Sequence, residues 1–502
     1  MKVVCKRIIK CILFLVILAL TAGILFHAFT PDDGSSVLPE DFFRKDKDRF
    51  DVLFLGTSKI KQGVYPMKLY EEYGISSYNL GTGDQTAALS YYLLRDVIER
   101  QHPKMVILEV GMGDYESTYQ GPEDVHYITD HMPFFAKTKF DLIYGVRKQT
   151  DGIDRFRVPW YEYHSRWTEL SEADFIHEKS GAAYGSWVQA QVRNARYLTP
   201  AEPDASYVLP EIVTDYMEKI VRLCEEKNTQ LAFLVLPRFE SDYLPEELYT
   251  DPLSEAYAIE RFAGEHDLPC LNYYDKAQAL GLDCAADTWD GMHLNVNGAE
   301  EFTAILGEEL EERFDLPDRR NEPGYEFLAK DYEEYLHYRT RRALATDNRS
   351  GSYFTRLIDT YNTENYLYIL TAAGDTTKSM TETVRQSLAD MGLANVESAA
   401  GNHAYIAVID HGSVVYETND FELTTDYYTD RVDGFEVTVL SQSAEDGSAA
   451  QAIVDMNNYV LEGSFGLNVV IYDKETGKKV DASYTEGDAV MQQFVLATCR
   501  KE

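Results

Sequence analysis

Asp51-Val52-Leu53-Phe54-Leu55-Gly56-Thr57-Ser58 is an apolar run that stops abruptly at Gly-x-Ser. Four consecutive apolar residues with no polar alternation read as a strand buried on both faces, as in a parallel sheet. Gly56 then lets the chain turn, and Ser58 is left at the carboxyl end of the strand. Downstream, Ser76–Leu80 reads as a second strand that opens into Gly81-Thr82-Gly83, and Met105–Val110 as a third. Pro66–Tyr73 and Thr86–Arg100 read as the helices between them, the first with proline near its start. The same rhythm returns later, with helix Ile212–Lys227, strand Leu231–Leu236, helix Glu255–Glu265, strand Cys270–Tyr273 and a closing helix Asn297–Arg313. Such alternation implies an α/β fold, a parallel sheet covered on both faces, whose ligands bind at the carboxyl ends of its strands, where Ser58 and Gly81 fall.

A serine hydroxyl becomes a useful nucleophile only beside a base, and histidine has the suitable pKa. Asp290-Gly291-Met292-His293-Leu294-Asn295 supplies one, with a carboxylate three residues before the imidazole. Asp290 would fix the tautomer and stabilise the imidazolium. The Ser58 N–H and the N–H of Gly81 or Gly83 are the candidate donors to an oxyanion. Alone, Ser58 would more simply be a helix cap and His293 a buried, hydrogen-bonded histidine; the case lies in their combination. Asn295 and Asn297 read as caps of the closing helix. Asp84 and Asp114 lack the spacing of a closed metal site, so neither metal nor cofactor is expected.

Gly-x-Ser after the first strand, glycine after the second and Asp-x-x-His near the end of the domain together resemble the SGNH/GDSL hydrolase superfamily. The resemblance implies a flavodoxin-like three-layer α/β fold and a catalytic triad of Ser58, Asp290 and His293, with oxyanion donors at Ser58, Gly81 and Gly83. The third block departs from it. Where relatives carry Gly-x-Asn-Asp, this chain has Gly111-Met112-Gly113-Asp114, so glycine replaces the oxyanion-hole asparagine. Losing such a donor costs on the order of 10²–10³ in rate elsewhere.

Residues 111–209 break the strand–helix rhythm and read as an insertion above the catalytic edge, rich in Trp160, Tyr161, Tyr163, Trp167 and Trp187. Within it, Tyr163-His164-Ser165-Arg166-Trp167-Thr168-Glu169-Leu170 resembles a segment of membrane-anchored SGNH-like proteins of Gram-positive cell envelopes. His164, Arg166 and Trp167 are the candidate substrate contacts, a guanidinium for oxygens and rings for the apolar faces of a sugar.

Bulk properties narrow the partners. The net charge is −37 over 502 residues. Residues 1–30 hold Lys2, Lys6, Arg7 and Lys10 and no acid, which leaves −41 for the rest. A surface this acidic repels phosphate backbones and argues against nucleic acid. Cys11 to Pro31 is a run of 21 uncharged residues, basic before and acidic after. At about 1.5 Å per residue it can span a ~30 Å hydrocarbon layer. A cleaved signal peptide competes with an uncleaved anchor; the continuing apolar run Ile24-Leu25-Phe26 favours the anchor and an extracytoplasmic body. Cys270 and Cys284 could pair, or stand as two separate thiols.

The domains expected are therefore a basic stub and anchor (1–31), the SGNH-like domain (32–335), a linker (336–365) and a second α+β, β-rich domain (366–502). Thr381–Val408 and Gly466–Asp481 resemble the ILEI/PANDER-like lectin fold, which implies a carbohydrate- or partner-binding module. The expected activity is that of a serine esterase or O-acyltransferase on cell-envelope glycan. The competing expectation is a catalytically weak accessory that binds glycan or a membrane-bound O-acyltransferase.

Overall fold

The computed structural model describes residues 40–111, 116–130, 136–147, 155–156, 162–168, 183–241, 252–420, 422–432, 434–443, 451–456, 459–463, 466–475 and 479–492, with isolated positions elsewhere. Among the described residues no helix is long and apolar enough to cross a membrane. About half of the run 11–31, expected to form an anchor, lies outside them, as do Met112–Tyr115. The chain divides into two compact units, Met1–Tyr335 and Leu336–Glu502.

The first unit is built on β1 (Val52–Leu55), β2 (Ser77–Asn79), β3 (Met105–Glu109), β5 (Gln230–Val235) and β7 (Cys270–Asn272), in the spatial order β2-β1-β3-β5-β7. All four pairings are parallel, with Phe54 beside both Asn79 and Ile107. β1 and β3 are buried at every residue, as their unbroken apolar character requires. A short antiparallel pair, β4 (Arg196–Tyr197) with β6 (Phe239–Glu240), lies apart from this sheet.

The order dictates where the helices go. The chain steps one way from β1 to β2 and the other way at every later crossover, so right-handed connections place the two sets of helices on opposite faces. Pro66–Tyr73 accordingly packs on Val296–Arg313, and Ala87–Gln101 packs on Glu211–Lys227. The reversal of direction falls at β1, and a crevice opens there at the carboxyl ends of β1 and β3.

The second unit holds a six-stranded sheet in the order β10-β9-β8-β15-β16-β17 and a four-stranded sheet β11-β12-β13-β14. The strands are β8 (Tyr366–Ala373), β9 (Tyr405–Asp410), β10 (Ser413–Glu417), β11 (Thr425–Val432), β12 (Phe435–Gln442), β13 (Gln451–Met456), β14 (Tyr459–Gly463), β15 (Gly466–Asp473), β16 (Lys479–Glu486) and β17 (Ala489–Gln492). Leu367, Ile369, Ile406 and Val408 pack between the sheets against Val437 and Val439. Tyr368, Leu370 and Ala407 face the helices instead, with Tyr353, Leu357 and Leu388. The segment 336–365 is therefore not a linker. It contains the end of the helix Glu326–Leu344 and all of Ser350–Thr360, and it contributes Leu344, Tyr353, Phe354, Leu357 and Tyr361 to this core.

Candidate active site

Ser58 is the first residue of the helix Ser58–Gly63, directly after the turn that ends β1. Thr57 is the N-cap, its hydroxyl accepting from the Lys59 N–H. As the first helical residue, Ser58 has no intrahelical partner for its own N–H. Its side chain sits at the crevice mouth, and Ser58 Oγ lies 2.8 Å from His293 Nε2.

The imidazole is held from every side. His293 Nδ1 lies 2.7 Å from Asp290 Oδ2, while Asp290 Oδ1 accepts from the N–H groups of Met292 (2.8 Å) and His293 (2.7 Å). With the Nδ1 proton directed at Asp290, Nε2 is left to accept from the serine hydroxyl. The Trp289 ring stacks on His293 at 5.6 Å and is itself tied by Nε1 to Gln62 Oε1 at 2.7 Å. Thr288 Oγ1 donates to the His293 carbonyl and accepts from the Gly291 N–H. Gly291 takes φ +89°, and a Cβ there would come 2.6 Å from Ser241 Cβ, so glycine is needed for the Asp-x-x-His turn to close. Asn295 then caps the closing helix by accepting from Asn297 and Gly298.

Burial alone would raise the Asp290 pKa. The hydrogen bonds from the His293 ring and from the two backbone N–H groups outweigh it and hold the carboxyl below its ordinary value. Asp84, which lines the same pocket, is shifted upward by burial despite its proximity to His293. It adopts φ +49°, an unfavourable conformation for a residue with a side chain.

Gly81 is not placed as expected for an oxyanion donor. Its N–H is already given to Asn79 Oδ1 at 3.0 Å, while Asn79 Nδ2 binds the carbonyls of Ile60 and Val64. Asn79 thus pins the β2 loop to the helix that carries Ser58 and uses up the Gly81 donor in doing so. Gly83 lies buried two residues further on, beside Asp84. Gly113 and Asp114 fall outside the described residues.

The crevice beside Ser58 encloses about 230 Å³ and is lined among others by Asp84, Glu109, Leu236, Arg238 and Met292. His164, Arg166 and Trp167 do not line it. They form a short 3-10 helix whose Arg166 donates to the Phe29 carbonyl at 2.7 Å, and Trp167 is 69% exposed. The composition of such a run does not say where it lies in the fold. Cys270 and Cys284 are unpaired. Among the described residues no group of three His, Cys, Asp or Glu is placed to hold a metal ion.

Thr288, Trp289, Gln62 and Glu109 at this site went unread in the sequence. Gln62 anchors the tryptophan behind His293, and nothing in its local pattern marks it. Glu109 did carry a signal, since it is the one acid at the end of a wholly buried strand.

No protein-family model matches the chain, and no curated protein matches it. Solved structures do align. A lipase/acylhydrolase from Enterococcus faecalis shares 12% identity over 53% of this chain and 99% of its own, with a TM-score of 0.28. A GDSL-like lipase from Bacteroides thetaiotaomicron shares 12% over 52% of this chain and 87% of its own, with a TM-score of 0.26. A two-domain esterase active on acetylated mannans shares 12% over 57% of each chain, with a TM-score of 0.27.

Proposed function

We propose that the chain is an SGNH-type serine esterase or O-acyltransferase. It acts on acyl esters, acetyl foremost, of cell-envelope polysaccharide, and residues 1–31 hold it at the outer face of the membrane. The observation that carries the reading is the continuous chain Ser58 Oγ–His293 Nε2 and His293 Nδ1–Asp290 Oδ2, at 2.8 and 2.7 Å. His293 takes the hydroxyl proton as Ser58 attacks the ester carbonyl, Asp290 stabilises the imidazolium, and the departing alcohol receives the proton from His293. Water or a sugar hydroxyl then attacks the acyl-enzyme, its proton passing to His293 and back to Ser58. The uncharged run from Cys11 to Pro31 supports the anchor, and an acidic surface with 36 tyrosines suits a neutral, polyhydroxylated polymer better than a polyanion.

The test is covalent capture. A serine-directed fluorophosphonate should label the full-length protein at Ser58 and should not label Ser58→Ala. Labelling that persists in Ser58→Ala refutes the nucleophile.

A second reading has its own support. Glycine stands at position 113, and the Gly81 N–H is spent on Asn79, so two expected oxyanion donors are missing. A protein that binds glycan or a membrane acyltransferase with little turnover would tolerate that loss. Absence of p-nitrophenyl acetate hydrolysis, together with retained glycan pull-down, would favour it.

A further inference from the structure

Glu109 closes the buried strand β3 and is itself only 4% exposed. A carboxylate in such a place needs hydrogen-bonded compensation. It finds it 52 residues away in sequence, on the turn leading into Ser58. Glu109 Oε2 accepts from the Thr57 N–H at 2.7 Å and from Thr57 Oγ1 at 2.9 Å. With its proton committed to Glu109, the Thr57 hydroxyl turns a lone pair to the Lys59 N–H at 3.3 Å and caps the nucleophile's helix.

Both neighbouring glycines make room for this carboxylate. A Cβ at Gly56 would fall 2.5 Å from Glu109 Oε2, and one at Gly111 would fall 2.0 Å from Oε1. Gly56 also adopts φ +148°, a conformation that side chains rarely permit. From the other side of the turn, Lys59 Nζ donates to the Gly111 carbonyl at 3.1 Å, a second tie between the two strand ends.

We propose that Glu109 is a positioning residue for the nucleophile. Its carboxylate bridges β3 to the Gly56-Thr57-Ser58 turn and so aims both the Ser58 hydroxyl and the Ser58 N–H. The inference rests on the serine-nucleophile reading above. Because the Gly81 donor is committed elsewhere, the aim of the Ser58 N–H carries more of the oxyanion's stabilisation here than in a site with three free donors.

The experiment compares Glu109→Ala, Glu109→Gln and Thr57→Val in the full-length protein. It reads the fluorophosphonate labelling rate per folded molecule, kcat and KM on p-nitrophenyl acetate, and amide exchange of the peptide spanning residues 52–60. Glu109→Ala should slow labelling and kcat by about 10²-fold, as misplacement of a reacting group by ~1 Å does, while KM moves little. Glu109→Gln, whose amide oxygen can still accept from Thr57, should recover most of the loss. The Thr57 amide should exchange faster in the alanine variant only. A merely structural glutamate would lower the folded fraction and leave the rate per folded molecule intact; that result overturns the proposal, as does a loss that falls on KM. If Glu109→Ala does not fold, Thr57→Val decides, since it removes one of the two hydrogen bonds to Glu109: slower labelling per folded molecule beside near-normal Glu109→Gln supports the bridge, and an unchanged rate refutes it. Wild-type protein that fails to label at Ser58 defeats the serine reading and this inference with it. Normal labelling of Glu109→Ala defeats the inference alone.

Discussion

Two aspartate–histidine pairs of the first unit are little exposed and of nearly the same length, and only one of them faces a serine hydroxyl. Asp290 and His293 meet at 2.7 Å and His126 and Asp130 at 2.9 Å. The first pair sits on a tight turn at the crevice, and the far nitrogen of its imidazole meets Ser58 Oγ. The second spans one turn of the helix Pro122–Thr129, packed under Phe156 and Tyr163, and its Nε2 is buried with no hydrogen-bond partner among the described residues. Pairing with a carboxylate orients an imidazole and stabilises its cation, but what the other nitrogen faces decides whether that becomes chemistry. Asp130 also lies against Lys139 and bonds the Tyr163 hydroxyl, so the second pair belongs to a buried polar cluster inside the insertion.

The two pairs differ most at Ser58 and His293. Ser58→Ala and His293→Ala should each lower kcat by as much as roughly 10⁶-fold if the proposed triad holds, since members of a triad act as a unit. His126→Ala should leave the fluorophosphonate labelling rate per folded molecule unchanged. A comparable rate loss in both histidine variants would erase the distinction between the pairs.

Exchanging the carboxylates separates rate from stability. Asp290→Asn should cost roughly 10⁴-fold in kcat by favouring the wrong tautomer, besides the stability that its hydrogen-bonded carboxylate contributes. Asp130→Asn should affect stability alone. It leaves buried partners imperfectly satisfied at a cost of about 1–3 kcal/mol, and it spares kcat. Chemical denaturation and steady-state kinetics on the two variants would show whether the loss of rate is confined to Asp290→Asn.

The pH dependence sharpens the contrast between the crevice and the insertion beside it. Asp290 is held below its ordinary pKa, so its contribution to stability is complete above the unfolded value near pH ~4 and is lost as the pH falls through the folded value. Asp124, at the start of the helix that carries His126, is pushed up to about 6 by burial, partly offset by the N–H groups of Gly121 and Gln120. A raised carboxyl has the opposite sign: the unfolded chain ionises first, so stability falls as the pH rises from about 4 to about 6 and is level thereafter. Asp124→Asn should therefore flatten the melting-temperature profile between about pH 4 and pH 6, and Asp290→Asn should flatten it below about pH 4. Parallel profiles for Asp124→Asn and the parent would show that the Asp124 carboxyl is not shifted in the fold.

The amino-acid sequence shows the same division between local and non-local features. Val52–Leu55 and Met105–Glu109 could be read because strands buried on both faces are unbroken apolar runs. Ser58, Asp290 and His293 could be singled out because turn chemistry and short spacing are local properties. What a backbone N–H is doing cannot be read locally: the commitment of Gly81 to Asn79 depends on where the β2 loop lies against another element. His126 and Asp130 escaped notice because an i, i+4 pair on a helix is common and says nothing of its burial. In the second unit, strand β11 is Thr-Asp-Tyr-Tyr-Thr-Asp-Arg-Val, with polar residues turned outward and only Tyr427's neighbours Asp426 and Tyr428, and then Val432, buried. A strand so polar resembles a loop until its partner β12 is known.

The smallest expected effect concerns the aromatic and basic run of the insertion, which the sequence placed at the substrate. Trp167 is largely exposed, and Arg166 is bound to the Phe29 carbonyl; neither lines the crevice around Ser58. A small acyl ester such as p-nitrophenyl acetate needs only the crevice, so Trp167→Ala and Arg166→Ala should each change its kcat/KM by no more than about twofold, within the usual reach of a surface substitution. A polymer extends beyond the crevice, and an exposed indole is the kind of surface on which a sugar ring stacks. If Trp167→Ala lowers turnover of an acetylated polysaccharide while sparing the small ester, the run is a distal glycan contact. If both substrates are hydrolysed normally, recognition of the polymer lies elsewhere on the chain.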